Sequence, residues 1–209
     1  MNRILFLAAL VVAWFVLRPL LRVGIAALFA GSVGRKALER QPDSIHLVAT
    51  GSDAWRSRAR AEKAAGQLRA LGFSDAGTWS VTEMPGLVLW LLVNPAEYAT
   101  AAIYEHPQAG HWCEVFFRGQ DGTSATFTSA RPTGLKDRPG HRVARIPGAD
   151  ADKIMELADE QRPNGPLLPV SAADAPHRFE EAYAEAVAYR KSVGISRGEV
   201  VSVAQKRAA

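Results

Sequence analysis

Residues 105–114 hold the densest set of potentially reactive side chains in this sequence. They read Glu-His-Pro-Gln-Ala-Gly-His-Trp-Cys-Glu and contain two imidazoles, one thiol and two carboxylates. If the second half of the segment is a strand, alternation places His111 and Cys113 on one face, and a turn would bring His106 within reach. These three side chains would supply three of the four ligands that zinc usually takes. His106, His111 and Cys113 are therefore candidate metal ligands.

The same segment supports two further interpretations. A Cys113 thiolate beside His111 would pair a nucleophile with a base, which makes both residues candidates for catalysis. Alternatively, Cys113 is a small core residue and the two histidines cap a turn. Zinc sites usually draw their ligands from two elements or paired motifs, whereas all of these would come from one hairpin. We therefore favour the structural interpretation and expect neither a metal nor a cofactor.

Other catalytic motifs are missing from the sequence. Residues 31–36 lack the spacing and the final Lys-Ser/Thr pair of a phosphate-binding loop, and no Gly-x-Gly-x-x-Gly follows a predicted strand. Neither a Gly-x-Ser-x-Gly elbow nor a His-Glu-x-x-His zinc helix occurs. His141 and His177 are isolated in polar surroundings, and we expect both to face solvent. No specific reaction is indicated.

The elements that would position the 105–114 segment belong to a single α+β domain over residues 41–209. A short strand near residue 45 and a helix ending near Leu71 come first. Runs of strand-forming residues, each bounded by turn residues, then predict strands at 77–83, 87–93, 98–105, 111–118 and 123–129, of which 87–93 is apolar on both faces. Because short turns force neighbouring strands to be antiparallel, we expect a roughly five-stranded antiparallel meander.

Two further features concern the last strands of that meander and the residues after it. A two-residue turn at Asp121-Gly122 would place Phe116 opposite Phe127. Residues 130–147, rich in proline and basic side chains, are expected to form a long loop. Residues 149–209 are expected to form a helical subregion. A helix through Val193 begins at the predicted capping box 171–174, and a last short helix begins at the second predicted capping box, 196–199.

The first forty residues differ from the rest, and we predict that residues 1–40 are a membrane anchor with a basic flank. Residues 4–17 are apolar without a break, and continuing the helix to residue 21 gives about 27 Å, close to the ~30 Å of a bilayer core. A cleaved signal peptide with small residues at 30–32 is the alternative. Arg18 and Arg22 count against it because they interrupt the path to that cleavage site.

Charge is distributed unevenly between the two parts. The chain carries a net charge of +4, but residues 1–40 hold six Lys/Arg against one Glu, so the remainder is slightly acidic. This argues against a nucleic-acid partner, which needs a basic patch on the folded domain. Five basic residues follow the predicted span and only Arg3 precedes it, which predicts a single-pass protein with a cytoplasmic domain.

The expected partners depend on the predicted anchor. They are the lipid bilayer and, through the small-residue spacing Ala27-x-x-x-Gly31, another membrane protein or a second copy of the chain. The sequence thus predicts a membrane-anchored, non-catalytic binding or interaction module of unknown ligand. The alternative is a membrane-anchored hydrolase or metal-dependent enzyme centred on the 105–114 hairpin.

Overall fold

The computed structural model of the chain describes residues 30–208, which form one sheet and five α-helices. The strands are β1 (Leu47–Ala49), β2 (Ser74–Val81), β3 (Val88–Asn94), β4 (Ala99–His106), β5 (Gly110–Arg118), β6 (Ser124–Thr128) and β7 (His141–Arg145). The helices are α1 (Ala30–Glu39), α2 (Arg58–Ala70), α3 (Ala151–Glu160), α4 (Ala175–Val193) and α5 (Arg197–Ala208).

The sheet has seven strands in chain order, and its last pair differs from the others. Strands β1 to β6 pair antiparallel, whereas β7 lies parallel to β6. The predicted five-stranded antiparallel meander is therefore wrong: the sheet is mixed and has two more strands, β1 and β7. Strand β7 lies inside residues 130–147, which were predicted to be a loop. The sequence does not predict this strand because Arg142 and Arg145 interrupt its apolar pattern.

The register of β5 and β6 also differs from the prediction. Phe116 lies opposite Thr126, and Val115 lies opposite Phe127. The connection is longer than a two-residue turn: the Gly119 N–H donates to the Thr123 carbonyl at 2.8 Å. The pairing is therefore shifted by one residue from the predicted register. As a result, Phe116 and Phe127, which were predicted to share a face, lie on opposite faces of the sheet. Phe117 and Phe127 consequently share a buried face, with ring centroids 6.0 Å apart and nearly perpendicular.

Each face of the sheet is covered by helices. We call the first the α3 face; its buried residues include Leu68 of α2, Ile154 of α3 and Phe127. The second, the α4 face, includes Leu91 and Tyr104, with Phe179 of α4 packed against them. Burying a large apolar side chain contributes about 1.5–3 kcal/mol, so these clusters dominate the stability of the sheet.

The predicted capping boxes are present in the structure. The Ser171 hydroxyl accepts from the Asp174 N–H at 3.2 Å, ahead of α4. Ahead of α5, the Ser196 hydroxyl accepts from the Glu199 N–H at 3.3 Å, and the Ser196 N–H donates to the Glu199 carboxylate at 2.9 Å. These bonds satisfy N–H groups that a helix start leaves without partners.

The described residues divide into two compact units. The first comprises residues 42–131 and 137–189 and contains the whole sheet; the second comprises residues 30–41, 132–136 and 190–208. In the second unit the buried carboxylate of Glu199 accepts from the Lys136 N–H and the Arg190 guanidinium, both at 2.9 Å. Burial opposes its ionisation, but these bonds and those from Ser196 lower the pKa of Glu199 to about 2.

The prediction of a single-pass membrane protein is not supported and is corrected. Within residues 30–208, no helix combines the length and apolar character needed to cross a bilayer. The predicted span at residues 4–21 lies outside the described residues. The membrane location and the cytoplasmic orientation that depended on it are withdrawn.

Candidate functional site

The β4–β5 hairpin places the sequence-predicted site residues on two different faces. Glu105 pairs with His111, and Ile103 pairs with Cys113. His111 and Cys113 share one face of the sheet, as the sequence predicts, and this is the α3 face. His106 is next to Glu105 in the strand and therefore belongs to the opposite face. The turn does not bring the three predicted ligands together. Among residues 30–208, no group of three or more His, Cys, Asp or Glu side chains is arranged to hold a metal ion.

Glu105 has a structural role at the start of α2. Its buried carboxylate accepts from the backbone N–H groups of Arg56 at 2.9 Å and Ser57 at 3.1 Å, just ahead of the helix. The His111 Nε2 atom lies 2.9 Å from the same carboxylate, close enough for an ion pair when protonated, although the geometry is not that of a hydrogen bond. The His111 ring also stacks on Trp55. These contacts connect the hairpin to the helix.

His106 and Cys113 have equally local partners. The His106 Nδ1 atom accepts from the backbone N–H groups of Gln108 and Ala109, both at 3.2 Å, and so caps its own turn. Cys113 is buried in the sheet, and burial together with the nearby Glu114 carboxylate raises the pKa of its thiol to about 12. A thiol with that pKa is almost entirely protonated at neutral pH and is a poor nucleophile.

Glu114 is the other carboxylate of the segment and lies on the α4 face. It accepts from the Tyr104 hydroxyl at 3.0 Å and the Thr128 hydroxyl at 3.1 Å, linking β4, β5 and β6. Burial raises the pKa of Glu114, although the hydroxyl donors and Arg145 act in the opposite direction. Glu105, His106 and Glu114 are thus engaged in contacts within the fold, whereas neither ring nitrogen of the half-buried His111 makes a hydrogen bond with a described residue.

An open cleft of about 430 Å³ lies at a different end of the sheet, where β6 and β7 begin and α3 ends. Its lining comes from three segments: Thr123, Ser124 and Ala125; Gly140, His141 and Arg142; and Gln161, Arg162, Pro163 and Asn164. Parallel pairing brings the first two segments together, because the N-terminal ends of parallel strands lie at the same edge. Pro163 helps end α3 and turns the third segment toward this edge.

The lining of the cleft is basic in composition. It includes two arginines and one histidine together with uncharged polar side chains, and none of the described lining residues is acidic. Arg162 donates to the Glu97 carboxylate and carbonyl and lies over the Phe117 ring, 5.3 Å from its centroid. Arg142 is exposed, and it donates to the uncharged side chain of Gln161. The positive charge of Arg142 is therefore available to a ligand.

Ser124 and His141 form a close pair within this cleft. They are direct partners in the β6–β7 register, and the Ser124 Oγ atom lies 2.6 Å from the His141 Nδ1 atom. Burial, Arg138 and Arg145 lower the pKa of His141, while the Asp137 carboxylate acts in the opposite direction. The imidazole is therefore neutral at pH 7, so that Nδ1 can accept the Ser124 hydroxyl proton.

A second cleft, of about 550 Å³, lies along α4 and carries balanced charge. Two arginines and two glutamates line it, and Arg118 pairs with Glu185. Arg138 approaches the same glutamate at 3.5 Å. Because this charge is neutralised within the fold, the cleft offers a ligand less electrostatic attraction than the one at the β6–β7 edge.

Sequence reasoning did not identify the residues of the first cleft. His141 was expected to be isolated and solvent-facing, yet it is half-buried against Ser124. The available signal was the basic segment 130–147, which was assigned to a loop. Comparison of the chain with protein families, with curated proteins and with solved structures gives no match.

Proposed function

We propose that this protein is a binding module for a small ligand that carries an anionic group, either a carboxylate or a phosphate. The observation that carries the proposal is the exposed Arg142 guanidinium of the β6–β7 cleft, which meets no carboxylate among the described residues, whereas Arg162 is paired with Glu97. The cleft volume lies in the range of small-molecule sites, roughly 300–1,000 Å³.

The chemistry of the lining supports an anion over a neutral ligand. A guanidinium group presents N–H donors in a fixed plane that matches two oxygens of a carboxylate or phosphate. The uncharged side chains of Thr123, Gln161 and Asn164 add hydrogen-bonding capacity around the arginines. Arg162 is already positioned by Glu97 and Phe117, so ordering its side chain for binding costs little further entropy.

Titration of the full chain with inorganic phosphate and, separately, with succinate tests this proposal. Binding is followed by NMR chemical-shift changes of backbone amides. We expect saturable changes at Ser124, Gly140 and Asn164 with at least one of the two anions. Arg142→Gln should weaken binding about 10- to 100-fold, because a hydrogen bond to a charged group contributes roughly 1.5–3 kcal/mol.

Arg60→Gln is the matched control. Arg60 is exposed on α2 and does not line the cleft, so the substitution removes the same charge elsewhere. Its affinity for phosphate and succinate should equal that of the wild type. Equal losses in both variants would indicate a nonspecific charge effect, and no saturable change with either anion would refute the proposal.

The 105–114 hairpin supports a ligand site or active site less well than the β6–β7 cleft does. An enzyme there would need a reactive thiol or a set of metal ligands, whereas Cys113 is buried with a raised pKa and His106 lies on the face opposite His111. Binding at the β6–β7 cleft requires neither.

A further inference from the structure

We propose that Ser124 and His141 form a nucleophile and base pair, and that the β6–β7 cleft hydrolyses an ester whose acyl part carries a negative charge. The distance of 2.6 Å between Ser124 Oγ and His141 Nδ1 lies within the range for transfer of a proton from nucleophile to base. Both residues line the open cleft, so a substrate can reach them. This activity goes beyond binding and rests on the proposed function for its choice of an anionic substrate.

The surroundings of His141 suit a general base. Burial and Arg138 keep the imidazole neutral at neutral pH, as a proton acceptor must be. Asp137 favours the protonated imidazole and would stabilise the cation that forms when Ser124 gives up its proton. Arg142, which has no carboxylate partner among the described residues, lines the same cleft and provides positive charge for the anionic group of the substrate.

The reaction proceeds in two steps whose atoms balance. In the first, Ser124 Oγ attacks the ester carbonyl carbon while His141 Nδ1 takes the hydroxyl proton; the bond to the alcohol oxygen then breaks, and His141 returns that proton to the leaving alcohol. In the second, water attacks the acyl group on Ser124 while His141 takes a proton from the water and delivers it to Ser124 Oγ. One ester and one water yield one acid and one alcohol, and no oxidant or metal is required.

The experiment compares two chromogenic esters on the full chain. The first, 4-nitrophenyl succinate, carries a carboxylate on its acyl part, whereas 4-nitrophenyl acetate is neutral. We expect hydrolysis of the succinate above the buffer rate and faster than that of the acetate. Ser124→Ala and His141→Gln should each lower the rate by at least about 100-fold, the lower end of the contribution of a general base.

Ser80→Ala is the matched control, because the Ser80 hydroxyl donates to the Val48 carbonyl in the β1–β2 region of the sheet and does not line the cleft. This variant should hydrolyse the succinate at the wild-type rate. Circular dichroism establishes that each variant is folded. If one is not, mass spectrometry of acid-quenched wild type decides the question: a succinyl group on the peptide containing Ser124 supports the inference, and an unmodified peptide refutes it.

The two proposals fail separately. Phosphate or succinate binding without hydrolysis above the buffer rate would overturn the catalytic inference and leave the binding function standing. Hydrolysis that persists unchanged in Ser124→Ala and His141→Gln would also overturn it. Loss of both binding and hydrolysis would refute both proposals.

Discussion

The β4–β5 hairpin and the β6–β7 cleft both place a histidine beside potentially reactive side chains, but they use these groups differently. In the hairpin, Glu105 caps the start of α2, His106 caps its own turn and Cys113 is buried. In the cleft, Arg142 is exposed and the Ser124–His141 pair faces open space. The reactive residue types of the hairpin are therefore largely used within the fold, whereas the cleft combines an exposed cationic side chain with an accessible cavity, which is why the proposed site lies there.

The largest expected effect concerns the reactivity of Cys113. Since burial and Glu114 raise its pKa to about 12, the thiolate fraction at pH 8 is on the order of 10³-fold below that of an ordinary thiol. We expect the folded chain to react with Ellman's reagent slower by that factor than the chain in guanidinium. Rapid stoichiometric reaction of the folded protein would restore the hairpin as a reactive site.

Removing the Glu105 carboxylate should be the most destabilising change in the hairpin. Glu105→Ala leaves the N–H groups of Arg56 and Ser57 without their acceptor, at a cost of about 2–4 kcal/mol in the free energy of unfolding. Urea denaturation measures this cost. Glu156→Ala, which removes an exposed glutamate paired with Lys153, should cost less than about 1 kcal/mol. Similar losses in the two variants would contradict the capping role.

Glu199 of the second unit resembles Glu105 of the hairpin, because its carboxylate also accepts hydrogen bonds from groups within the fold. With a pKa lowered from 4.5 to about 2, ionised Glu199 stabilises the folded state above pH 4.5, and this contribution is lost as the pH falls toward 2. Glu199→Gln should lower the free energy of unfolding by roughly 1–3 kcal/mol at pH 7. Urea denaturation should give a smaller difference at pH 3. A difference independent of pH would contradict the assigned cause.

The smallest expected effect is on the pH dependence of the cleft. A bound anion favours protonated His141, whose pKa is lowered from 6.5, so sulfate affinity should rise about three- to tenfold as the pH falls from 8 to 5. Isothermal titration calorimetry measures this trend, and sulfate keeps a constant charge over the range. His141→Gln should make the affinity nearly independent of pH. An unchanged slope in that variant would exclude His141 as the titrating group.

Local patterns in the sequence predicted much of the sheet but not the cleft. Strands β2 to β6 are runs of strand-forming residues with clear turn residues between them, and the capping boxes at 171–174 and 196–199 are short contiguous motifs. The Ser124–His141 contact instead joins residues 17 apart through a parallel pairing that no local period encodes. In the hairpin, the residue types were recognised, but only the register determines that His106 faces away from His111.

The parallel pairing of β6 with β7 also affects the order in which the strands of the sheet come together. Strands β2 to β6 succeed one another through short turns, so their contacts form between nearby parts of the chain. Strand β7 can pair with β6 only after the connection formed by residues 129–140 has closed. Closing this longer connection costs more conformational entropy than closing a short turn, so the contact forms more slowly. During synthesis, a chain that has emerged only as far as residue 140 therefore lacks His141 and Arg142, and with them the proposed ligand site, whatever the state of its first six strands.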